Sequence, residues 1–431
     1  TLRAVRQKVM LLAPTGRAAK VFSLNSGMPA YTIHRRIYRE KAFAGVDGQF
    51  NLNDNLYTDT LFMVDEASMI ANLGLGGTTF GSGCLLDDLI HFVYQGRNDR
   101  LLLIGDKAQL PPVGEEESPA LSAAMLQGYG LSVYECDLNE VVRQSQQSGI
   151  LFNATRIRQM ITHDDITQLP KIRFSGFSDI REMPGAELIE ALGDSYHHVG
   201  LDDTIVVTRS NKRANIFNQG IRNMVLDREE ELESGDMLMI VKNNYYWMEE
   251  ERKKIKERQL SEERKVKSGK FNTLANHTVQ SNEVSSHEIP AFLANGDRAK
   301  VMKVSRRIEL YGFHFATLLL KFPDYDNYEL EATVLLDTLT SEASALTHDQ
   351  QEQLFHKIEE DYQDIPLKAD RMKAIRQDPY FNALQVKFAY AVTCHKAQGG
   401  QWSHVYVDQG YMTDEMLTPD YIHWLYTAFT R

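Results

Sequence analysis

What this chain has little of narrows it first. Cysteine is scarce: Cys84, Cys136 and Cys394 are the three in 431 residues, far apart and never in a Cys-x-x-Cys pair. That excludes a disulfide-framed scaffold or a cysteine-built zinc site, and it fits reduced thiols in the cytoplasm. No apolar run approaches the roughly 18 residues a membrane helix needs, so no membrane partner is expected. No secretory leader is visible. Positive charge is in deficit, with 47 Lys and Arg against 59 Asp and Glu and a formal net charge of −12. Such a chain does not coat nucleic acid non-specifically. A narrow groove with its own Lys and Arg stays compatible with phosphate contact. Repeats and low-complexity tracts are absent. What is present is a globular composition, 43% hydrophobic and 25% charged, in a chain long enough for two or more domains.

The chain is organised around Leu61-Phe62-Met63-Val64-Asp65-Glu66-Ala67-Ser68-Met69-Ile70. An apolar run of this kind reads as a buried parallel strand, and open α/β sheets bind ligands at the C-terminal ends of their strands. Two acids placed there are costly unless something positive meets them. One reading is a Mg²⁺ ion carrying a nucleotide, with Asp65 in the metal shell and Glu66 orienting and deprotonating a water. The other is a strand end with two solvated acids. On this stretch alone the two stand level.

Other segments follow the same strand–turn–helix logic. The run 9–13 leads into Pro14-Thr15-Gly16-Arg17-Ala18-Ala19, where small residues let a ligand approach the backbone. Tyr31-Thr32-Ile33-His34-Arg35-Arg36 is short, polar and basic. In the polar stretch 42–58, Val46-Asp47-Gly48-Gln49-Phe50 carries an Asp-Gly hairpin signal, with a plain surface loop as the alternative. Residues 72–83 read as a mobile glycine-rich loop. Leu101-Leu102-Leu103-Ile104 reads as a second buried strand, entering Gly105-Asp106-Lys107-Ala108-Gln109-Leu110-Pro111-Pro112. Thr204-Ile205-Val206-Val207-Thr208 is a third, followed by a helix over 211–222 capped by Ser210 or Asn211. Residues 249–270, dense in both charges, read as a solvated insertion or mobile arm. Between 289 and 336 short alternating strands predict a small antiparallel barrel, and 346–376 reads as acidic helix. Buried α/β character returns with the run 386–393, which feeds Cys394-His395-Lys396-Ala397-Gln398-Gly399-Gly400-Gln401. The chain closes on Tyr426-Thr427-Ala428-Phe429-Thr430-Arg431.

Taken in order, these stretches resemble the motifs of superfamily 1 DNA helicases of the RecD-like and Dda-like branch. The segments at 13–19, 32–35, 64–69, 105–113, 139–144, 391–399 and 426–431 are similar to motifs Ia, Ib, II, III, IV, V and VI. Asn295-Gly296-Asp297 is similar to the entry of that family's domain 2B barrel. The resemblance implies an α/β fold of two RecA-like parallel-sheet domains with an inserted small SH3-like β-barrel. It places domain 1A at 1–144 with a 1B hairpin at about 36–58, domain 2A at 145–240 and 380–431, and the 2B module with its charged arm at 241–379. It implies ATP and Mg²⁺ as cofactors. Asp65 holds the metal, Glu66 is the general base, Gln109 senses the γ-phosphate, and Arg143 and Arg431 are arginine fingers. Gln398, Gly399 and Gln401 lie by the nucleotide, although Gln401 stands where relatives often carry an acid or hydroxyl. Pro14, Thr15, Thr32, His34, Thr393, His395 and Lys396 line a path for single-stranded DNA. The hairpin around 46–50 is the pin that splits duplex junctions, and the implied polarity is 5′→3′. Repair, recombination or replication is the implied setting, with nuclease or repair subunits as candidate partners.

One motif is missing. No Gly-x-x-x-x-Gly-Lys-[Ser/Thr] occurs in the 431 residues. In the resembled family that P-loop grips the phosphates and its hydroxyl ligates Mg²⁺. Its strand lies in the middle of the RecA-like sheet, so its loss predicts unpaired backbone groups and an open slot. The expectation is a piece of a longer helicase, cut at both ends and inactive by itself. Two rivals stand beside it: a non-motor DNA-binding or scaffolding subunit, and another P-loop ATPase without unwinding activity.

Overall fold

The structure, a computed structural model, describes residues 7–43, 48–74, 80–138, 148–163, 168–267 and 292–430. The chain divides into two compact units, 1–229 with 389–431, and 230–388. The first unit runs β1 (Lys8–Ala13), α1 (Gly16–Ser26), β2 (Ala30–Thr32), α2 (Ile33–Ile37), β3 (Tyr38–Phe43), β4 (Gly48–Leu52), β5 (Thr60–Val64), α3 (Leu85–Gln95) and β6 (Arg100–Leu103). It continues with α4 (Ala123–Gly128), α5 (Gly149–Thr162), α6 (Leu188–His198), β7 (Thr204–Thr208) and α7 (Asn211–Gly220). The second unit holds β8 (Met237–Ile240), α8 (Tyr246–Lys267), β9 (Arg298–Leu310), β10 (Phe313–Phe322), β11 (Tyr328–Leu335), α9 (His348–Asp361), α10 (Lys368–Arg376) and β12 (Leu384–Phe388). The chain then returns to the first unit with β13 (Ala391–Thr393), α11 (Cys394–Ala397), β14 (His404–Val407) and α12 (Pro419–Phe429).

Two parallel sheets form the first unit, as the α/β expectation required. The order β2-β1-β5-β6 makes one, with Leu12 opposite Val64 and Val64 opposite Leu103. Helix α3 repeats its apolar residues every three to four positions. Leu86, Leu89, Ile90 and Val93 therefore share the face that packs with Phe62 and Val64 in the core. The order β13-β7-β14 makes the other sheet. β7 is flanked on both sides, which is why all five residues of Thr204-Ile205-Val206-Val207-Thr208 are buried and largely β-branched.

The run 101–104 departs from its expectation of full burial. Among the described residues β6 is an edge strand, paired with β5 alone, and Leu102 is 41% exposed. An apolar run reports burial on the assumption of neighbours; it does not supply them.

The second unit contains a closed five-stranded barrel in the order β10-β11-β12-β8-β9. Phe315, Leu318, Leu320 and Phe322 of β10 and Leu330, Ala332 and Val334 of β11 are buried. The β9–β10 turn places Tyr311 and Gly312 at φ 60° and 80°, the doubled positive φ that a tight hairpin of this hand needs. The expected single strand over 386–393 is two strands in different sheets. Phe388 pairs with Leu238 in the barrel, and Val392 pairs with Val207 in the parallel sheet. A run buried throughout carries no mark of which sheet it joins. The arm expected at 249–270 is helical as far as Lys267, with Lys253–Glu250 and Lys254–Glu251 ion pairs along it.

Candidate functional site

The site grows from the C-terminal ends of the parallel strands. After β1, Thr15 caps α1, its hydroxyl accepting from the Ala18 amide at 3.2 Å. Pro14 lies between strand and cap and is half-buried. After β2, Thr32 caps α2 in the same way and is buried. Both threonines sit where a free helix N-terminus follows a strand, which is what a Thr in extended backbone does best. Next to them β5 delivers the acids. The Asp65 amide donates to Leu12 O at 3.0 Å, and Asp65 Oδ1 accepts the Glu66 amide at 2.9 Å. Glu66 itself stands in the left-handed region, φ 52° and ψ 38°, without the freedom of glycine. Both acids are half-buried.

The end of β6 is pressed against them. The Ala67 amide donates to Ile104 O at 2.8 Å. A Cβ on Gly105 would lie 2.9 Å from the Ser68 amide nitrogen, so only glycine permits this approach. Asp106 then shapes the turn. Its Oδ1 accepts the Ala108 amide at 3.0 Å, and its carbonyl accepts the Gln109 amide at 3.1 Å.

Helix α12 docks onto this turn through three contacts. The Tyr426 hydroxyl donates to Asp106 Oδ2 at 2.7 Å, the Leu110 amide donates to Thr427 Oγ1 at 2.8 Å, and His423 Nδ1 meets Ala108 O at 2.9 Å. Arg158 of α5 reaches Asp106 at 3.8 Å. Burial first, and then the Asp106 charge, raise the Tyr426 hydroxyl's pKa well above that of a free tyrosine, so it remains a donor. His395 also meets this loop. Burial holds its imidazole below the usual histidine pKa, while its hydrogen bond with the Pro111 backbone and the charge of Asp420 oppose that.

The segment after β13 closes on α1. Gly399 has φ 75°, and a Cβ there would lie 3.6 Å from the Ala18 amide nitrogen. The Arg17 guanidinium lies 4.7 Å from the Trp402 ring centre. Gln398 is 3% exposed, and both of its side-chain polar atoms lack a partner among the described residues. An unpaired buried amide costs about 1–3 kcal/mol, so this one is poised for a polar ligand. Thr393 heads α11 without a side-chain capping bond, Lys396 is half-buried, and Gln401 is exposed.

The structure therefore brings Thr15, Thr32, Asp65, Glu66, Gln109, His395, Gln398 and Gly399 to adjoining strand ends. His34 follows Thr32 in the first turn of α2 and stands in an aromatic group, with ring centres 5.2 Å from Phe80 and 5.7 Å from Tyr38. Burial lowers its pKa, with Asp88 opposing. Arg143, Arg431 and the turn residues Val46 and Asp47 lie outside the described residues. Sequence reasoning missed Asp106, Arg158, His423, Tyr426 and Thr427 as a docking set. The spacing of His423, Tyr426 and Thr427 on one helical face was a legible signal, but their partner loop more than 300 residues earlier was not.

Asp65 and Glu66 are compatible with a magnesium ion, which takes one or two carboxylates and leaves its other positions to water and phosphate. Among the described residues no group of three or more His, Cys, Asp or Glu gathers as a metal cage, and magnesium of this kind needs none. No described helix is long and apolar enough to cross a membrane.

A family model described as "AAA domain" matches residues 1–169, and one described as "UvrD-like helicase C-terminal domain" matches 388–431. Among solved structures, Pif1 helicase from Candida albicans aligns over 100% of this chain and 84% of its own, at 14% identity and a TM-score of 0.43. Pif1 helicase from Bacteroides, in complex with ADP-AlF3 and ssDNA, aligns over 96% and 85%, at 12% identity and a TM-score of 0.40.

Proposed function

We infer that this chain, a superfamily 1 helicase by the two family models at its ends, carries the working parts of an ATP-dependent DNA helicase that travels along single-stranded DNA. The observation that carries the reading is the docked turn: the loop bearing Gln109 is hydrogen-bonded both to the strand end bearing Asp65 and Glu66 and to the helix that leads into Arg431. A cleft that hydrolyses a nucleotide needs those groups brought to it together.

Bound ATP with Mg²⁺ would supply the phosphoanhydride and the charge that activates it. The chain's own part is to hold and orient. Asp65 is the carboxylate for the metal shell. Glu66 is the base for the attacking water. Gln109 reads the terminal phosphate, and Gln398 and Gly399 face the nucleotide from the other sheet. Arg143 and Arg431 are the arginine fingers, each worth roughly 10³–10⁵ in rate where such fingers have been measured. Gln401, exposed, is the candidate ribose contact. Pro14, Thr15, Thr32, His34, Thr393, His395 and Lys396 line the strand path, touching phosphate and sugar more than bases.

The β3–β4 hairpin is the duplex-splitting pin. Its base is braced by Phe50 stacked on Phe80 at 4.5 Å and by the Tyr38 hydroxyl donating to Asp88 at 2.6 Å. Movement is 5′→3′, in the RecD-like manner, in the service of repair, recombination or replication, with nuclease or repair subunits as partners.

The test has two arms. Residues 1–431 should bind a single-stranded oligonucleotide with little sequence preference and a steep salt dependence; failure to bind at low salt overturns the reading. In a form that also carries a P-loop ahead of Thr1, Glu66→Gln should cut hydrolysis roughly 10²–10⁴-fold while single-strand binding survives. One second reading is a non-motor DNA-binding subunit, against which the retained Asp65, Glu66, Gln109, Arg143 and Arg431 weigh. Binding without hydrolysis in that extended form would select it.

A further inference from the structure

Helix α1 follows β1 of one parallel sheet, and residues 398–402 lead from α11 towards β14 of the other. The two touch. The Arg17 guanidinium lies 4.7 Å from the ring centre of Trp402. Trp402 is 7% exposed, and a cation is drawn more strongly to a desolvated ring than to a wet one. The glycine two residues earlier makes room. A Cβ on Gly400 would lie 2.3 Å from Trp402 Cη2 and 2.9 Å from Arg17 Cζ, so ring and guanidinium both pack on bare backbone there.

Proposed strand contacts flank this clasp. Thr15 caps α1 just before Arg17. Thr393 ends β13, and His395 and Lys396 stand in α11, ahead of Gly399 and Gly400. The clasp is thus formed by the same chain stretches that carry those contacts. A single strand is flexible, so two sets of contacts reinforce one another only at a separation the protein holds; a loosely tethered second set gains little. The buried ring itself offers no open face on which a base could stack.

We propose that Trp402 is a positioning residue for single-stranded DNA: gripped by Arg17, it fixes the separation between the contacts at the head of α1 and those at α11. This rests on the reading that the strand path runs along both. A ring suits the task better than a carboxylate. An exposed ion pair in its place would be screened by salt and would compete with the DNA phosphates for the guanidinium, whereas a buried ring does neither.

The experiment measures binding of residues 1–431 to fluorescent oligothymidylates of about four and about twelve nucleotides, across a salt series, with thermal unfolding recorded alongside. It uses the wild type, Trp402→Leu, which removes the ring, Trp402→Phe, which keeps a ring face, and Arg17→Met, which keeps the apolar stem and removes the cation. The wild type should bind the longer oligomer much more tightly than the shorter. Trp402→Leu and Arg17→Met should each lose roughly ten-fold of that gain while holding the short oligomer as the wild type does, and Trp402→Phe should keep most of it. The two losses combined should exceed either alone by little, because they break one contact. Should Trp402→Leu fail to fold, Arg17→Met carries the test. A ring that serves only the fold would lower the melting temperature and weaken both lengths equally, and that overturns the proposal. So does a shallower salt slope in Arg17→Met with the length gain intact in Trp402→Leu, which would make Arg17 a direct phosphate contact. A wild type that binds neither oligomer, or both alike, would sink the underlying reading. A wild-type length gain that every variant retains would sink this proposal alone.

Discussion

Glu66 occupies backbone that non-glycine residues avoid, at a cost of about 1–3 kcal/mol. A strained residue persists when its side chain is needed where the strain puts it, and here that is the end of the central acid-bearing strand, beside Asp65. Stability and chemistry should therefore part company at this position. Glu66→Gly is expected to raise the free energy of unfolding by about 1 kcal/mol, since glycine adopts the left-handed region freely, whereas Glu66→Ala keeps the strain and gains nothing. Denaturant titration of the three proteins decides it; a glycine variant no more stable than the alanine one would remove the strain argument. The acid pair itself was readable from the chain, because an apolar run stopping at Asp-Glu is a strand end whatever surrounds it. Its φ value was not readable, since a left-handed turn at a non-glycine residue leaves no mark in the sequence.

Between elements, the docking of α12 on the 106–110 turn is the feature with the largest consequence. Its hydrogen bonds are short and largely shielded, and the Leu110 amide has Thr427 Oγ1 as its partner in a buried setting. Thr427→Val removes that acceptor and should cost about 1–3 kcal/mol, the penalty of an unpaired buried amide. Tyr426→Phe and Asp106→Asn act on one bond, so each alone should destabilise and the pair should be less than additive, with a coupling of about 0.5–3 kcal/mol in a double-mutant cycle. Additive losses would mean that the bond holds nothing. The sequence marked the strand that enters the 105–112 turn and not the contact. The strand ends were read from local spacing, whereas the helix over 419–429 was not, and the meeting of Tyr426 with Asp106 depends on how the chain returns after some 300 residues. The same limit explains the run 386–393. Period and apolarity marked it as strand, and only the partners Leu238 and Val207 show that it serves two sheets.

At the scale of all 431 residues, the groups proposed to act on a nucleotide are present except those that would grip its phosphates. The acids and the turn bearing Gln109 follow the neighbouring strands β5 and β6, Gln398 follows α11, and the cations Arg143 and Arg431 are in the chain. A lysine and hydroxyl on a glycine-rich loop are absent from all 431 residues. Beside the acids, β6 is an edge strand among the described residues, and Leu102 on it is 41% exposed. Backbone donors on such an edge have water for a partner where a sheet would supply a strand. The contacts proposed for single-stranded DNA do not involve this edge, so binding should survive. Hydrolysis of a nucleotide would depend on holding a triphosphate in line with the water that Glu66 is proposed to orient, and positioning supplies most of the catalysis in phosphoryl transfer. Residues 1–431 alone should therefore bind an oligonucleotide yet release phosphate from ATP at the background rate, with or without DNA. Fusing a strand and a Gly-x-x-x-x-Gly-Lys-Ser loop ahead of Thr1 should restore DNA-stimulated release, and Lys→Ala in that loop should abolish it again. DNA-stimulated turnover by the unfused chain, lost on Glu66→Gln, would show that these residues grip phosphate by some other means and would overturn the division drawn here between holding the strand and holding the nucleotide.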